Sequence, residues 1–320
     1  MNYETESRQF FNFLRNAQKI LVISHSKPDG DTIGSNLALL HFLERQGKEY
    51  KSFCLTPLPK EFLFLPKSFH LESDEEIFNE QFDLAIVLDS GDLRYAGVDK
   101  HLSKLNGALI LNIDHHLTNE MFGNINVVDA RASSTTEIIY KLFREGNVII
   151  EKNIATCLLT GILTDTSNFS NPATTYDVLG IASDLLSSGA GYYAILKNAL
   201  SGQPVPILKL WGEVLSRLQM NDYGMAVTVV TKEDWEVNNL NEEALSGLAN
   251  FLNNLDGVKA VLILKEEGEG FVRGSFRTSS EELDLSHLAK FFGGGGHKKA
   301  AGFSVPGRIA KDEAGKWVVI

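Results

Sequence analysis

The first half of the chain carries continuous apolar runs: "KILVIS" at 19–24, "KSFCL" at 51–55, "DLAIVLD" at 83–89 and "ALILNID" at 108–114. Each has the length of a strand and is apolar on both faces, the pattern of a parallel sheet covered on both sides. Between the runs the period changes. Ile33, Leu37, Leu40 and Leu43 recur at helical spacing over about 31–46, and Gly47 is suited to stop that helix. "STTE" at 134–137 has capping-box spacing and opens a helix to about Arg144. Further helical patterns cover about 152–163 and "TTYDVLGIASDLLSSG" at 174–189.

Around 188–208 the texture turns to Gly, Ser and Pro, which predicts a boundary. The reading is a first domain over 1–190, a linker over 191–208 and a smaller domain over 209–320. In the latter the patterns predict a helix around Trp211–Leu218, a strand "MAVTVV", and an amphipathic helix within 241–254. A hairpin of "AVLILKE" and "GFVRGSFRT" follows, then a short helix that runs into the glycine loop of "HLAKFFGGGGHKKAAGF". The fold class is α/β: a parallel-sheet domain followed by a smaller α/β domain with a mixed sheet.

Composition narrows the function classes. A length of 320 residues accommodates two ordinary cores, and 43% hydrophobic with 22% charged residues is the balance of a soluble globular protein. No apolar stretch reaches the roughly 18 residues of a membrane span. The start, "MNYETESRQFFNFLRNAQKI", has acids and no signal core. Cys54 and Cys157 sit inside apolar runs and read as reduced core residues, so the expected location is cytoplasmic. A net charge of −11 argues against a basic face that grips long duplex nucleic acid. It leaves room for a small phosphorylated substrate held by metal ions and a few cations.

Candidate chemistry gathers where the apolar runs of the first domain end. Four strands are expected to end in these groups: His25, Asp29 and Asp31 follow the first, Asp89 closes another, Asp114, His115 and His116 close a third, and "TGILTDTSNF" carries Asp165. Carboxyl ends of parallel strands line the crevice where ligands bind. Each piece has a bland reading: "PDGD" as a capped turn, a lone Asp as a loop residue, "DHH" as an exposed polar triplet. Their co-occurrence favours a joint metal site. Carboxylates and imidazoles without a thiolate suit Mn²⁺, Mg²⁺ or Co²⁺. The number of ligands fits two ions about 3.5–4 Å apart sharing a carboxylate, the arrangement for phosphoryl displacement.

In the second domain Arg277 offers a planar fork for phosphate, with Ser275 and Thr278 as lesser donors. Gly293 to Gly296, including Gly294 and Gly295, permit close approach and free amides. His297 adds a donor, and Lys298 and Lys299 add positive charge. The bland alternatives are a flexible linker and a solvated face. Phe276 or Phe291 is where a base would stack, and either is as readily a core residue. Arg131 with Ser133 and Ser134, before a helix start, is a weaker anion site, and simple helix capping accounts for the stretch equally well.

Laid out in order, "SHSKPDGDTIGS", "VLDSGD", "IDHH" and "TGILTDTSNF", followed by "GSFRT" and "GGGGHKKAAGF", resemble the motifs of the DHH phosphoesterase superfamily over nearly the full length. The compact two-domain form resembles its nanoRNase/pAp phosphatase subfamily, which includes exopolyphosphatase-related proteins. The resemblance implies a Rossmann-like catalytic domain, a DHH-associated substrate domain and an active site in the cleft between them. It implies that His25 and Asp29 hold one Mn²⁺, that Asp31, His115 and Asp165 hold the other, and that Asp89 bridges. Asp114 would orient a histidine, and His116 would face the phosphate. The implied activity is two-metal activation of water to hydrolyse short oligoribonucleotides and 3′-phosphoadenosine 5′-phosphate (pAp). Short single-stranded RNA or DNA and pAp are then the partners, without duplex or membrane, and a homodimer is compatible. Rival readings are an exopolyphosphatase, an inorganic pyrophosphatase, a linear or cyclic dinucleotide phosphodiesterase and, outside enzymes, a nucleotide-binding regulator.

Overall fold

The computed structural model describes residues 2–101, 104–105, 107–200, 204–234, 242–245, 247–253, 255–267, 270–280, 282–313 and 315–320. The chain divides into two units, Met1–Ser201 and Gly202–Ile320. Six parallel strands build the first: β1 (Lys19–Ser24), β2 (Glu49–Phe53), β3 (Leu71–Glu72), β4 (Leu84–Leu88), β5 (Leu109–Asp114) and β6 (Ile125–Val128). Their order is β3-β2-β1-β4-β5-β6, so the winding direction reverses between β1 and β4. Register sets Ser24 beside Leu88 and Leu88 beside Ile113. The residues that follow these three are His25, Asp89 and Asp114, at the crevice such a switch point creates.

Alternation along each strand sends side chains to opposite faces. Ile20 and Val22 join one core, Leu21 and Ile23 the other. Helices α1 (Tyr3–Asn16), α2 (Gly30–Arg45), α3 (Thr135–Glu145) and α4 (Lys152–Asp165) cover the first face, with α5 (Tyr176–Ser187) and α6 (Tyr192–Asn198) added to the same core. On the second face Phe53 of β2 meets Phe78, Ala96 and Val98, which pack from a 3-10 turn (Glu75–Asn79) and irregular connections. Among the described residues, long helices thus cover one face only. The first helix was not anticipated from the N-terminal stretch, although Ser7, Phe10 and Leu14 form its buried stripe. No described helix is long and apolar enough to cross a membrane.

Close approach of α2 to α4 depends on glycine. A Cβ at Gly34 would meet the Cys157 carbonyl oxygen at 2.4 Å. One at Gly161 would lie 2.4 Å from Thr136 Oγ1 and 2.6 Å from Asp31 Oδ1. Residues read as linker, 191–208, carry α6 and the first turn of α7 (Val205–Ser216). The glycine and proline there precede helix starts, at Gly191 and Pro204.

The second unit holds a mixed sheet of β7 (Gln219–Met220), β8 (Met225–Val230), β9 (Ala260–Glu267), β10 (Phe271–Arg277), β11 (Gly295–His297) and β12 (Ala300–Pro306), in the order β11-β12-β10-β9-β8-β7. Only β8 and β9 run parallel among these pairs. The expected helix in 241–254 resolves into a 3-10 turn (Glu242–Leu245) and α8 (Leu248–Asn253), with residues 241, 246 and 254 outside the described residues. Helices α7 and α8 pack on one core of the sheet and α9 (Leu285–Phe291) on another. A short ribbon of β13 (Ile309–Lys311) and β14 (Trp317–Val319) follows.

Candidate active site

Asp29 caps α2, its Oδ1 accepting the amides of Asp31 at 3.0 Å and Thr32 at 3.1 Å, while its Oδ2 faces His25 Nε2 at 3.6 Å. One residue thereby starts the helix and reaches the cluster. Asp31 is fully buried in the first turn of α2. Its Oδ2 accepts the Thr135 amide at 2.6 Å, and its Oδ1 accepts the Thr136 amide at 2.9 Å and hydroxyl at 2.7 Å. The amides at the N-terminus of α3 are therefore occupied by the carboxyl group of Asp31. Ser134 caps α3, its Oγ accepting the Glu137 amide at 3.1 Å, and the exposed guanidinium of Arg131 pairs with Asp129 at 3.2 Å.

Asp89 follows β4 in the left-handed region, with φ of 56°, a strained setting for a non-glycine residue. Its two oxygens are shared. Oδ2 lies 3.3 Å from His25 Nε2, while Oδ1 lies 3.5 Å from His115 Nε2 and accepts the Thr135 hydroxyl at 3.2 Å. His25 is covered by the ring of Tyr95, stacked at 4.9 Å. Asp165 ends α4 rather than a strand, which corrects its expected placement. Its Oδ2 lies 3.3 Å from His115 Nε2.

Asp114, buried at the end of β5, accepts the His115 amide at 2.8 Å and faces His116 Nδ1 at 2.7 Å through Oδ1. Its Oδ2 accepts Asn119 Nδ2 at 2.6 Å, and the same amide also donates to the Ser90 carbonyl. Asn119 therefore holds the carboxylate that holds His116. The stretch "DHHLTN" contained this residue, yet nothing in its local pattern distinguishes it from a turn asparagine. Asn119→Ala is expected to lower kcat about 10- to 100-fold with the melting temperature little changed, the usual cost of freeing a ligand-orienting group. Unchanged turnover on a phosphodiester would mean that Asp114 is positioned without it.

Electrostatics single the cluster out. Burial, then the charges of Asp31, Asp89 and Asp29, pushes Asp165 up to about 11. Burial and the neighbouring Asp89 and Asp29 likewise raise Asp31 well above the carboxylate range. Burial disfavours a charged His25, but contacts to Asp29 and Asp89 outweigh it and raise the imidazole to about 9. The hydrogen bond to Asp114 raises His116 to about 8 against the opposing effect of burial. Among the described residues, the ion-pair partners of Asp29, Asp31, Asp89, Asp114 and Asp165 are histidines alone. So many acids in one buried place need cations.

The donor set fits divalent ions. His115 Nδ1 lies 3.4 Å from the Ala132 carbonyl oxygen, an acceptor only, which assigns the proton to Nδ1. With that tautomer Nε2 faces the oxygens of Asp165, Asp89 and Asp31 at 3.3, 3.5 and 4.0 Å and is available to a cation lying between them. Ligand atoms within 4.8 Å of one another form three groups: His25, Asp29 and Asp89; Asp31, His115 and Asp165; and Asp89, His115 and His116.

In the second unit, register places Arg277 opposite Ala300 and Ala300 opposite His297; two residues along, Ser275, Gly302 and Gly295 form a parallel row. Residues paired or two apart share a face, so Arg277, Ser275, His297 and Gly295 share one floored by Ala300 and Gly302. The glycine run is not a free loop. Gly293 and Gly294 donate their amides to Lys290 and Ala289, closing α9, and Gly295–His297 is an edge strand. The Gly294 amide is thus spent on the helix end, contrary to the anion cradle expected there. Phe276 is core at 3% exposure, whereas Phe291 is 85% exposed.

Comparison with known proteins agrees with this organisation. The profile of the DHH family, N-terminal domain, matches residues 19–162, and that of the DHHA1 domain matches 222–318. The bifunctional oligoribonuclease and PAP phosphatase NrnA of Thermus thermophilus is 34% identical over 289 residues, 90% of this chain and 84% of that protein. The chain belongs to the DHH family of phosphoesterases. The Bacillus subtilis protein of the same name is 28% identical to this DHH-family chain over 291 residues, 89% of each. A crystal structure of an exopolyphosphatase-related protein from Bacteroides fragilis superposes with a TM-score of 0.84 at 28% identity, covering 94% of this chain and 91% of that one.

Proposed function

We propose that this enzyme hydrolyses short oligoribonucleotides to mononucleotides and removes phosphate from pAp, with two Mn²⁺ as its ions and Mg²⁺ or Co²⁺ as substitutes. The observation that carries the reading is the placement of Asp89 between two of the ligand groups, its Oδ2 facing His25 of one at 3.3 Å and its Oδ1 facing His115 of another at 3.5 Å. His25, Asp29 and Asp89 would hold one ion, and Asp31, His115, Asp165 and Asp89 the other. When bound, such a pair makes solvent nucleophilic at neutral pH and neutralises charge on phosphoryl oxygens. Asp114 keeps a proton on His116, which at neutral pH donates to a phosphate oxygen. Arg277 and His297, on one face of the second sheet, bind the remaining phosphate and nucleotide, with Ser275 and Gly295 beside them. The names of the Thermus thermophilus and Bacillus subtilis relatives support the substrate class.

A second reading, exopolyphosphatase, is favoured by the likeness to the exopolyphosphatase-related protein of Bacteroides fragilis. Purified protein with Mn²⁺ is to be offered two- to five-nucleotide RNA, pAp, pyrophosphate and polyphosphate in parallel. RNA and pAp are expected to turn over at least tenfold faster than the others. Preference for polyphosphate selects the second reading, and no turnover on any of the four leaves a nucleotide-binding regulator.

A further inference from the structure

We infer that Tyr95 is a specificity-determining residue that stacks on the nucleobase next to the scissile phosphate; this rests on the oligonucleotide reading above. One face of its ring is taken by His25, yet the residue remains 40% exposed. Its amide donates to Asp92 Oδ1 and its carbonyl accepts the Ser26 amide, so the backbone is pinned beside the cluster. Among the described residues its hydroxyl has no hydrogen-bond partner in the protein. A second exposed apolar side chain, Leu117 at 89%, follows directly on His116. The two loops are tied together: Glu120 donates its amide to the Gly91 carbonyl at 2.8 Å, and Asn119 donates to Ser90 at 3.0 Å. Leu55, 36% exposed, packs under Gly97 at the base of the Tyr95 loop.

The acidic, metal-binding cluster is thus edged by an aromatic ring and aliphatic side chains. Pyrophosphate and polyphosphate have no apolar part and would leave that edge against water. A nucleobase has a flat face that an exposed aromatic ring binds whatever the base, because every base offers a π surface.

The test compares an RNA dinucleotide with two analogues, each lacking the base at one position, using the Mn²⁺-loaded full chain. Wild type is expected to lose about tenfold in kcat/KM on one abasic analogue, the scale of a base–aromatic stack. In Tyr95→Ala the intact dinucleotide should fall by about the same factor, through KM, and the intact-to-abasic ratio should collapse to about one. Tyr95→Trp should restore the ratio. A ratio kept in Tyr95→Ala, or an equal kcat loss on intact and abasic substrates, overturns the assignment; the latter would make Tyr95 only a support for His25. If wild type cleaves polyphosphate but no dinucleotide, the oligonucleotide reading falls with it, an outcome distinct from the other two.

Discussion

Asp89→Ala is expected to abolish hydrolysis of every substrate and to remove paired metal binding. Three histidines approach this one carboxylate, His25 on Oδ2 and His115 and His116 on Oδ1, so its loss disconnects the ligand group of His25 from that of His115. Two ions clamped on a transferring phosphoryl group supply several kcal/mol of charge stabilisation, and losing that clamp lowers the rate about a thousandfold or more. Asp89 also accepts the Thr135 hydroxyl, so Asp89→Asn, which keeps the shape and removes the charge, is the companion variant. It is expected to be equally inactive while folding normally. Isothermal titration with Mn²⁺ should give two sites in the wild type and at most one tight site in either variant. Undiminished turnover in Asp89→Asn would remove the shared-carboxylate centre from consideration.

The second large effect is on stability. In chelator-treated protein, the melting temperature is expected to fall as pH rises from about 6.5 to 9, the range set by the ordinary and raised values of His25. The sign follows from linkage. Asp165 is raised to about 11 and Asp31 is raised as well, so the folded state holds protons that the unfolded chain has already released. His25, raised to about 9, acts in the same sense: its contribution is complete below the unfolded value and lost as pH passes the folded one. Divalent ions replace those protons. At a hundredfold excess over Kd, one ion contributes about 2.7 kcal/mol, a rise of about 5–10 °C for a unit of this size. The Mn²⁺-induced shift should therefore be larger at pH 8.5 than at pH 6. Differential scanning fluorimetry across pH, with chelator or Mn²⁺, reads both trends; a shift that does not depend on pH would show that the acids are not protonated in the ion-free protein.

Much of this was legible before folding because the relevant signals are local. Buried parallel strands need apolar residues on both faces, and "DLAIVLD" and "ALILNID" show it directly. Asp29 was visible as a cap, and "STTE" as a helix start. Other features were illegible for equally physical reasons. β3 and β6 span only two and four residues, too short to show a period. Asp165 looked like part of a strand end because a buried helix and a buried strand are both apolar throughout. The glycine run looked like a loop because glycine propensity does not register that a neighbouring strand, β12, offers it a partner. Gly294 is where that matters most: a Cβ there would lie 2.1 Å from the Gly302 carbonyl oxygen.

Taken alone, the order of residues determined which chemical groups are available and where each stands relative to its own strand or helix. That is a matter of a few neighbouring residues, and backbone periodicity settles it. Only the tertiary structure decided which groups meet. The reversal of winding between β1 and β4 brings His25 to Asp89 across 64 positions of sequence, and the glycine contacts between α2 and α4 let Asp31, Thr136 and Asp165 converge. A carboxylate as deeply buried as Asp31 is tolerated because the start of α3, more than a hundred residues away, turns its amides toward it. Such long-range compensation is a property of packing, and no stretch of neighbouring residues encodes it.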